Sequence, residues 1–282
     1  MKIKTDQSQK ASKFFMLHYG PPILLLANAW DVVSAKVFEI EGFAAIGTTS
    51  AGIAATMGYP DGQHMGLKET IRVIRNLVPR IDLPISADIE AGYSSSTEGV
   101  VKTTHEVLDA GAVGINLEDG TGYIDKPLYD KQIMKERIGA IRKMAAHEGI
   151  HLFINARTDV FLTPMGNINR KIKESVERAN AYIEAGADGI FVPDIEILDK
   201  EVIKILVKEI PAPLNIIAGT GKPTIKELEQ LGVARVSLGP RVMRAALALV
   251  RKIAREIKSN GTYTHMVSEY VPYPEVNNWF KK

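Results

Sequence analysis

Four segments of this chain repeat one short grammar. Glu41-Gly42-Phe43-Ala44-Ala45-Ile46, Ala110-Gly111-Ala112-Val113-Gly114-Ile115, Ala185-Gly186-Ala187-Asp188-Gly189-Ile190 and Leu231-Gly232-Val233-Ala234-Arg235-Val236 each set a glycine behind a stretch of helical period, then an apolar run. A glycine in that position ends a helix in the left-handed conformation, where any Cβ would be penalised. The runs that follow are too short for helices and are rich in Ile and Val. Helix, glycine and strand therefore alternate along the chain. Eight such runs can be read: Ile23–Ala27, Ala45–Thr48, Ile85–Asp88, Gly114–Glu118, Leu152–Ala156, Gly189–Val192, Leu214–Ala218 and Arg235–Leu238. Strands apolar on both faces belong to parallel sheets covered by helices.

Between the runs lie helical stripes: Ile71, Ile74 and Val78; Met134, Ile138, Ile141 and Ala145; Ile172, Val176, Ala179 and Ile183. A last one, Ala246, Leu249, Val250, Ile253 and Ile257, follows the eighth run. Eight strand–helix units in 282 residues predict an α/β fold of the (β/α)8 TIM-barrel type. A doubly wound open sheet is the rival, but an eighth unit is surplus to most such sheets. We expect one α/β-barrel domain over residues 1–282. An N-terminal cap covers about 1–20, with Phe14, Phe15 and Leu17 inward, and a C-terminal helix and tail cover about 240–282. The aromatics of that tail (Tyr263, Tyr270, Tyr273, Trp279 and Phe280) need a surface to cover, in this barrel or a neighbouring subunit.

Composition narrows the function. A balance of 35 Lys and Arg against 33 Asp and Glu gives +2, too even for a chain devoted to gripping nucleic-acid phosphates. The absence of cysteine excludes disulfides, thiolate metal sites and cysteine nucleophiles. No apolar stretch approaches the roughly 20 residues that span a bilayer, and the apolar piece near the start is too short for a signal peptide. The expectation is a soluble cytoplasmic protein with no nucleic-acid or membrane partner.

Barrel chemistry belongs at the C-terminal strand ends, where the βα loops converge, and the polar residues fall there. Asp88 and Glu118 end neighbouring strands; Glu90 follows Asp88 closely, and Asp61 lies in the long loop after strand two. Carboxylates facing one pocket repel unless a cation sits among them or a proton is shared. Oxygen ligands without His or Cys suit Mg²⁺ or Mn²⁺. The alternative is that these acids cap helices or pair with lysines. Arg157 ends strand five, and its planar fork suits a substrate carboxylate or phosphonate; a structural salt bridge to Asp159, Glu118 or Asp194 is the other reading. Thr49-Ser50-Ala51-Gly52 offers backbone N–H groups as an anion cradle. Gly219-Thr220-Gly221-Lys222 fails as a phosphate loop, having Ile216 and Pro223 at two required positions. His64 reads as a solvated loop histidine or a proton shuttle.

These residues resemble the isocitrate lyase/phosphoenolpyruvate mutase superfamily. The likeness is carried by Ala29-Trp30-Asp31 with Ser34-Ala35, by Ile85-Ser86-Ala87-Asp88-Ile89-Glu90-Ala91-Gly92-Tyr93, by Asn116-Leu117-Glu118-Asp119 and by Asn155-Ala156-Arg157-Thr158-Asp159, from about residue 14 to about 250. The resemblance implies a Mg²⁺-dependent barrel acting on small 2-oxo or 2-hydroxy carboxylates, with C–C or P–C bonds broken or formed through an enolate. It also implies a homotetramer, a dimer of dimers that exchanges the last barrel helix, by position Pro240 to Lys258. Carried over residue by residue, Asp88 matches the metal aspartate, Glu118 the metal-shell glutamate and Asp61 the acid that holds a metal water. Arg157 matches the substrate arginine and Thr49-Ser50-Ala51 the backbone cradle, while Asp194 and Asn215 fall at substrate-contacting positions. Ser86 stands where many members have aspartate, and Glu90 where glycine is usual, so Glu90 is expected to restore the missing charge.

The lyases' Lys-Cys-Gly-His base motif is replaced by Gly120-Thr121-Gly122-Tyr123-Ile124-Asp125, and the mutase histidine of strand six by Pro193. The loop from Gly120 to Tyr129 is expected to close over the site, with Tyr123, Asp125 or Lys126 as proton donor. A C–C lyase or decarboxylase fits these departures best. The alternatives are P–C chemistry, as in a phosphonomutase or phosphonopyruvate hydrolase, a phosphate-sugar barrel, and a non-catalytic barrel that binds a metabolite.

Overall fold

All four repeated glycines sit at positive φ: 82° at Gly42, 99° at Gly111, 109° at Gly186 and 88° at Gly232. Each lets a helix stop and a strand begin with only four or five residues between them. A computed structural model describes residues 2–164, 166–194 and 198–281. Its strands are β1 (Leu24–Ala29), β2 (Ile46–Thr48), β3 (Ile85–Asp88), β4 (Gly114–Glu118), β5 (Phe153–Arg157), β6 (Gly189–Phe191), β7 (Leu214–Ile217) and β8 (Arg235–Ser237). They form a closed parallel barrel in chain order, β1 pairing with both β2 and β8. This is the (β/α)8 architecture, with strand ends at most two residues from those read in the sequence.

The chain forms two compact units, Met1–Gly239 and Pro240–Lys282. The first holds the eight strands with α1 (Lys2–Met16), α2 (Val32–Ile40), α3 (Ser50–Thr56), α4 (Leu67–Leu77), α5 (Thr97–Asp109), α6 (Lys131–His147), α7 (Ile168–Glu184), α8 (Lys200–Glu209) and α9 (Ile225–Gln230). The second holds α10 (Arg241–Asn260) and the short helices α11 (Thr264–Ser268) and α12 (Tyr273–Asn278). No helix among the described residues is long and apolar enough to cross a membrane.

The stripes divide into kept and corrected ones. Ile71 and Ile74 of α4 are buried, as are Met134, Ile138, Ile141 and Ala145 of α6. On α7 the expected face is rotated: Ile172, Val176 and Ile183 are only half-buried, while Lys171, Ser175, Arg178, Ala179 and Tyr182 form the buried side. Hydrophobic period misses this face because most of its members are polar, and Lys171, Arg178 and Tyr182 are buried through hydrogen bonds. On α10, Leu249, Val250 and Ile257 are exposed.

The floor of the barrel is plugged by α1 and the turn after it. Phe14 is fully buried, with Phe15 and Leu17 packed at the edge of the core; Met1 lies outside the described residues. The Phe14 ring meets Phe153 edge-on at 5.5 Å, and His18 stacks on Phe153 at 3.8 Å. A Cβ on Gly114 would come within 2.6 Å of the Phe14 ring and 3.0 Å of Ser86 Oγ, so the plug fits only above a glycine. We predict that Gly114→Ala destabilises the fold by about 1–3 kcal/mol through overpacking. Combined with Phe14→Leu it should cost less than the sum of the two single changes. Strict additivity in urea unfolding would contradict the contact.

Candidate active site

Above the plug, the barrel interior is a layer of amides. Asn116 Oδ1 accepts from Asn155 Nδ2 (2.8 Å) and Arg235 Nη2 (3.2 Å), and Asn215 Oδ1 accepts from Asn155 Nδ2 (3.1 Å) and Ser237 Oγ (2.9 Å). Asn215, expected to touch substrate, is therefore committed to this layer. Arg235 is 1% exposed. Burial brings its pKa down to about 9, against the opposing pull of Asp88, so it remains a cation at neutral pH.

The register sets the next layer. Asp88 lies beside Asn116, and Glu118 beside Arg157, so β3, β4 and β5 bring their charged ends to one sector of the mouth. Asp88 Oδ2 accepts from the Ser50 hydroxyl (2.8 Å) and the Ser50 N–H (3.2 Å), while the Asp88 N–H donates to Thr48 Oγ1 (2.8 Å). No lysine pairs with Asp88 among the described residues. In the run Thr49–Gly52, expected as a backbone cradle, three N–H groups already have partners: the Thr49 N–H bonds Ala29 O, the Ser50 N–H goes to Asp88, and the Gly52 N–H goes to Thr49 Oγ1. These bonds cap α3 and fix Asp88. Ala51, half-buried, is the second residue of that helix.

Glu90 has φ 50°, in the left-handed region that favours glycine, and Gln63 and Tyr93 share the feature at 61° and 53°. Such strain persists only where surrounding bonds enforce it. Here Glu90 Oε2 accepts from the Gln63 N–H (2.6 Å), Glu90 Oε1 from the Tyr93 hydroxyl (2.8 Å), and Gln63 Oε1 from the Tyr93 N–H (2.8 Å). Burial pushes the Glu90 carboxyl up to about 7; the Tyr93 hydroxyl opposes this, and the charges of Asp88 and Asp61 add to it. Asp61 belongs to an exposed loop residue, yet partial burial of its carboxyl, then Asp88, raises its pKa. His64 is exposed in the same loop.

Glu118 is raised well above the ordinary carboxylate range, first by burial and then by Asp159, Asp88 and Glu90, with Arg157 opposing. Arg157 Nη1 sits 2.7 Å from Glu118 Oε2, and its Nε and Nη2 contact the two carboxylate oxygens of Asp159 at 2.6 and 3.1 Å. Burial alone would lower the Arg157 pKa, but Asp159 and Glu118 together hold it above its usual value. Arg157, at the C-terminal end of β5, is thus salt-bridged to both Glu118 and Asp159, as the second reading expected.

Two further candidates follow strands six and four. Asp194 is buried, bonded by Lys222 Nζ and the Leu198 N–H, so it ties the loops after β6 and β7 together. Tyr123 is 73% exposed, at the tip of a loop closed at its base by a Gly120–Leu128 bridge. Sequence reading missed Lys222, Asp119, Arg178, Tyr182 and Gln63, whose roles emerge only from contacts distant in sequence.

The acids suit a divalent cation by donor chemistry. Among the described residues no three His, Cys, Asp or Glu side chains form a protein-only metal cage. Mg²⁺ binds through one or two carboxylates and keeps several waters. Asp88 and Glu118, at the ends of adjacent strands, are the oxygen donors that would hold such an ion, and Glu90 and Asp61 lie near enough to Asp88 to feel its charge.

A parallel barrel with clustered carboxylates and one arginine at its strand ends is an enzyme scaffold for anionic substrates. The family model for phosphoenolpyruvate phosphomutase matches residues 14–258, and the chain belongs to that family, within the isocitrate lyase/phosphoenolpyruvate mutase superfamily of lyases and mutases. It is 29% identical to a 2-methylisocitrate lyase of Halalkalibacterium halodurans over 91% of this chain and 85% of that one. A crystal structure from Burkholderia cenocepacia superposes with TM-score 0.91 at 33% identity, covering 99% and 98% of the two chains. A phosphonopyruvate hydrolase crystallised with oxalate and Mg²⁺ shares the fold, with TM-score 0.84 at 23% identity over 96% and 94%.

The raised carboxyl of Glu90 has a measurable consequence in chelator-treated protein. A folded-state pKa near 7 against an ordinary 4.5 means that the unfolded chain ionises first. Glu90 therefore costs nothing below about pH 4.5, and its burden grows between pH 4.5 and 7 and levels off above, at about 3 kcal/mol. Glu90→Gln should gain stability relative to the parent between pH 5 and 8. Parallel pH–stability curves for the two would contradict the assignment.

Proposed function

We propose that this protein is a Mg²⁺-dependent lyase that cleaves a C–C bond of a small 2-oxo or 2-hydroxy carboxylate. The observation that carries this reading is the convergence of Asp88, Glu118 and Glu90 with Arg157 at the ends of β3, β4 and β5. Mg²⁺, when bound by Asp88 and Glu118, supplies Lewis-acid stabilisation of the negative charge that develops on the substrate's C2 oxygen. Arg157 grips the substrate carboxylate, exchanging its contact with Glu118 for the incoming anion. Ser50 orients Asp88 through two hydrogen bonds. Glu90, pushed up to about 7, holds or gives a proton near neutral pH. The exposed loop from Gly120 to Tyr129 closes over the mouth and brings Tyr123 inward, excluding water.

The relative from Halalkalibacterium halodurans is a 2-methylisocitrate lyase by name, and the hydrolase structure carries oxalate with Mg²⁺; both support a small-carboxylate substrate. The absence of cysteine separates this chain from the Lys-Cys-Gly-His base of the lyase branch, so its proton donor is a different group. Exposed Leu247, Leu249, Val250 and Ile257 on α10 support the homotetramer with an exchanged helix, each apolar side chain finding cover on another subunit.

A panel of 2-oxo and 2-hydroxy acids assayed with and without Mg²⁺, reading pyruvate, CO₂ and phosphate together, should give Mg²⁺-dependent pyruvate or CO₂. Release of phosphate from a phosphonate would assign P–C chemistry instead. Asp88→Ala should lose calorimetric Mg²⁺ binding and at least about 10²-fold in turnover while keeping its circular dichroism. Undiminished turnover in that variant would refute the metal assignment.

A further inference from the structure

The buried polar face of α7 ends on one residue of the β4–α6 connection. Asp119 is fully buried. Its Oδ2 accepts from the Tyr182 hydroxyl (2.7 Å) and Arg178 Nη1 (3.0 Å). Its Oδ1 accepts from the backbone N–H of Asp159 (2.8 Å), the residue whose carboxylate takes the fork of Arg157. The backbone of Asp119 extends the tie: its N–H donates to Arg157 O (3.1 Å), and its carbonyl accepts from the Tyr129 N–H (2.8 Å). Arg178 Nη1 also donates to Tyr129 O (2.9 Å). Both roots of the loop from Gly120 to Tyr129, and the carboxylate that aims Arg157, therefore hang from one buried anion.

We propose that Asp119, clamped by Arg178 and Tyr182, is the positioning residue that sets the substrate-binding geometry of Arg157. This rests on the reading of Arg157 as the substrate's carboxylate contact. A buried carboxylate is costly unless its oxygens are filled. Here three donors fill them, and two come from successive turns of one helix, so the clamp inherits the rigidity of α7. A guanidinium between Asp159 and Glu118 must be held at the correct angle yet leave Glu118 when substrate arrives. Fixing the Asp159 backbone accomplishes the first without opposing the second. None of the clamp's hydrogen bonds is made to the carboxylate of Asp88 or of Glu118, so the clamp should act on anion affinity and leave cation affinity alone.

The test uses oxalate as the probe, titrated calorimetrically into full-length protein at saturating Mg²⁺, with Mg²⁺ affinity measured separately. Tyr182→Phe keeps the ring and removes one donor; Asp119→Asn keeps the shape and places an amide N–H₂ against Arg178 or Tyr182. Either variant should weaken oxalate binding about 5- to 20-fold with Mg²⁺ affinity within about twofold, the loss expected for one or two hydrogen bonds to a charged group. Arg178→Lys, which keeps the charge, should fall between them and the parent. Unchanged oxalate affinity in folded Tyr182→Phe, alongside a loss in Arg157→Met, would overturn the proposal and leave Arg157's role standing. Unchanged oxalate affinity in Arg157→Met would overturn both. Equal loss of oxalate and Mg²⁺ binding would show a merely structural role and overturn the proposal too.

Discussion

Negative charge is crowded into one sector of the barrel mouth. Asp88, Glu90 and Glu118 come from the ends of two adjacent strands, with Asp159 on the next and Asp61 nearby, and one arginine lies among them. Their mutual repulsion is written into the raised carboxyls of Glu90, Glu118 and Asp61, each driven first by burial and then by its neighbours. Such a cluster stores unfavourable energy that a divalent cation can relieve. The same crowding accounts for Arg157, whose three nitrogen contacts are all to carboxylates.

The rest of the barrel serves to keep that crowd in place. Below it, the amides of Asn116, Asn155 and Asn215 are bonded to one another, and the Arg235 cation lies beneath Asp88's sector, easing the field from underneath. Beside it, the left-handed residues Gln63, Glu90 and Tyr93 bind each other across two loops. Behind it, α7 contributes Arg178 and Tyr182 to the Asp119 clamp. Each support spends stability on orientation, a common arrangement at catalytic sites.

The architecture was legible because its signals are local. A glycine at a helix end and an apolar run after it are read within six residues, and all four such glycines adopt the left-handed conformation. Asp88 and Glu118 were legible because strand ends in a barrel face one mouth. The hidden parts depend on partners far apart in the chain. The bond of Lys222 to Asp194 and that of Arg178 to Asp119 leave no periodic trace. The inward face of α7 reads as a solvated stripe because polar residues compose it. Three of the four backbone donors of Thr49–Gly52 are taken up by Ala29 O, Asp88 and Thr49 Oγ1, partners that only the fold brings to them.

The central claim concerns where a cation sits. Crystals soaked in Mn²⁺ and measured at the manganese absorption edge report this without relying on turnover. The account predicts one anomalous peak within bonding distance of Asp88 carboxylate oxygen, with Glu118 and Glu90 close enough to meet it directly or through water. A peak elsewhere in the barrel, or none beside Asp88 at saturating Mn²⁺, would contradict it.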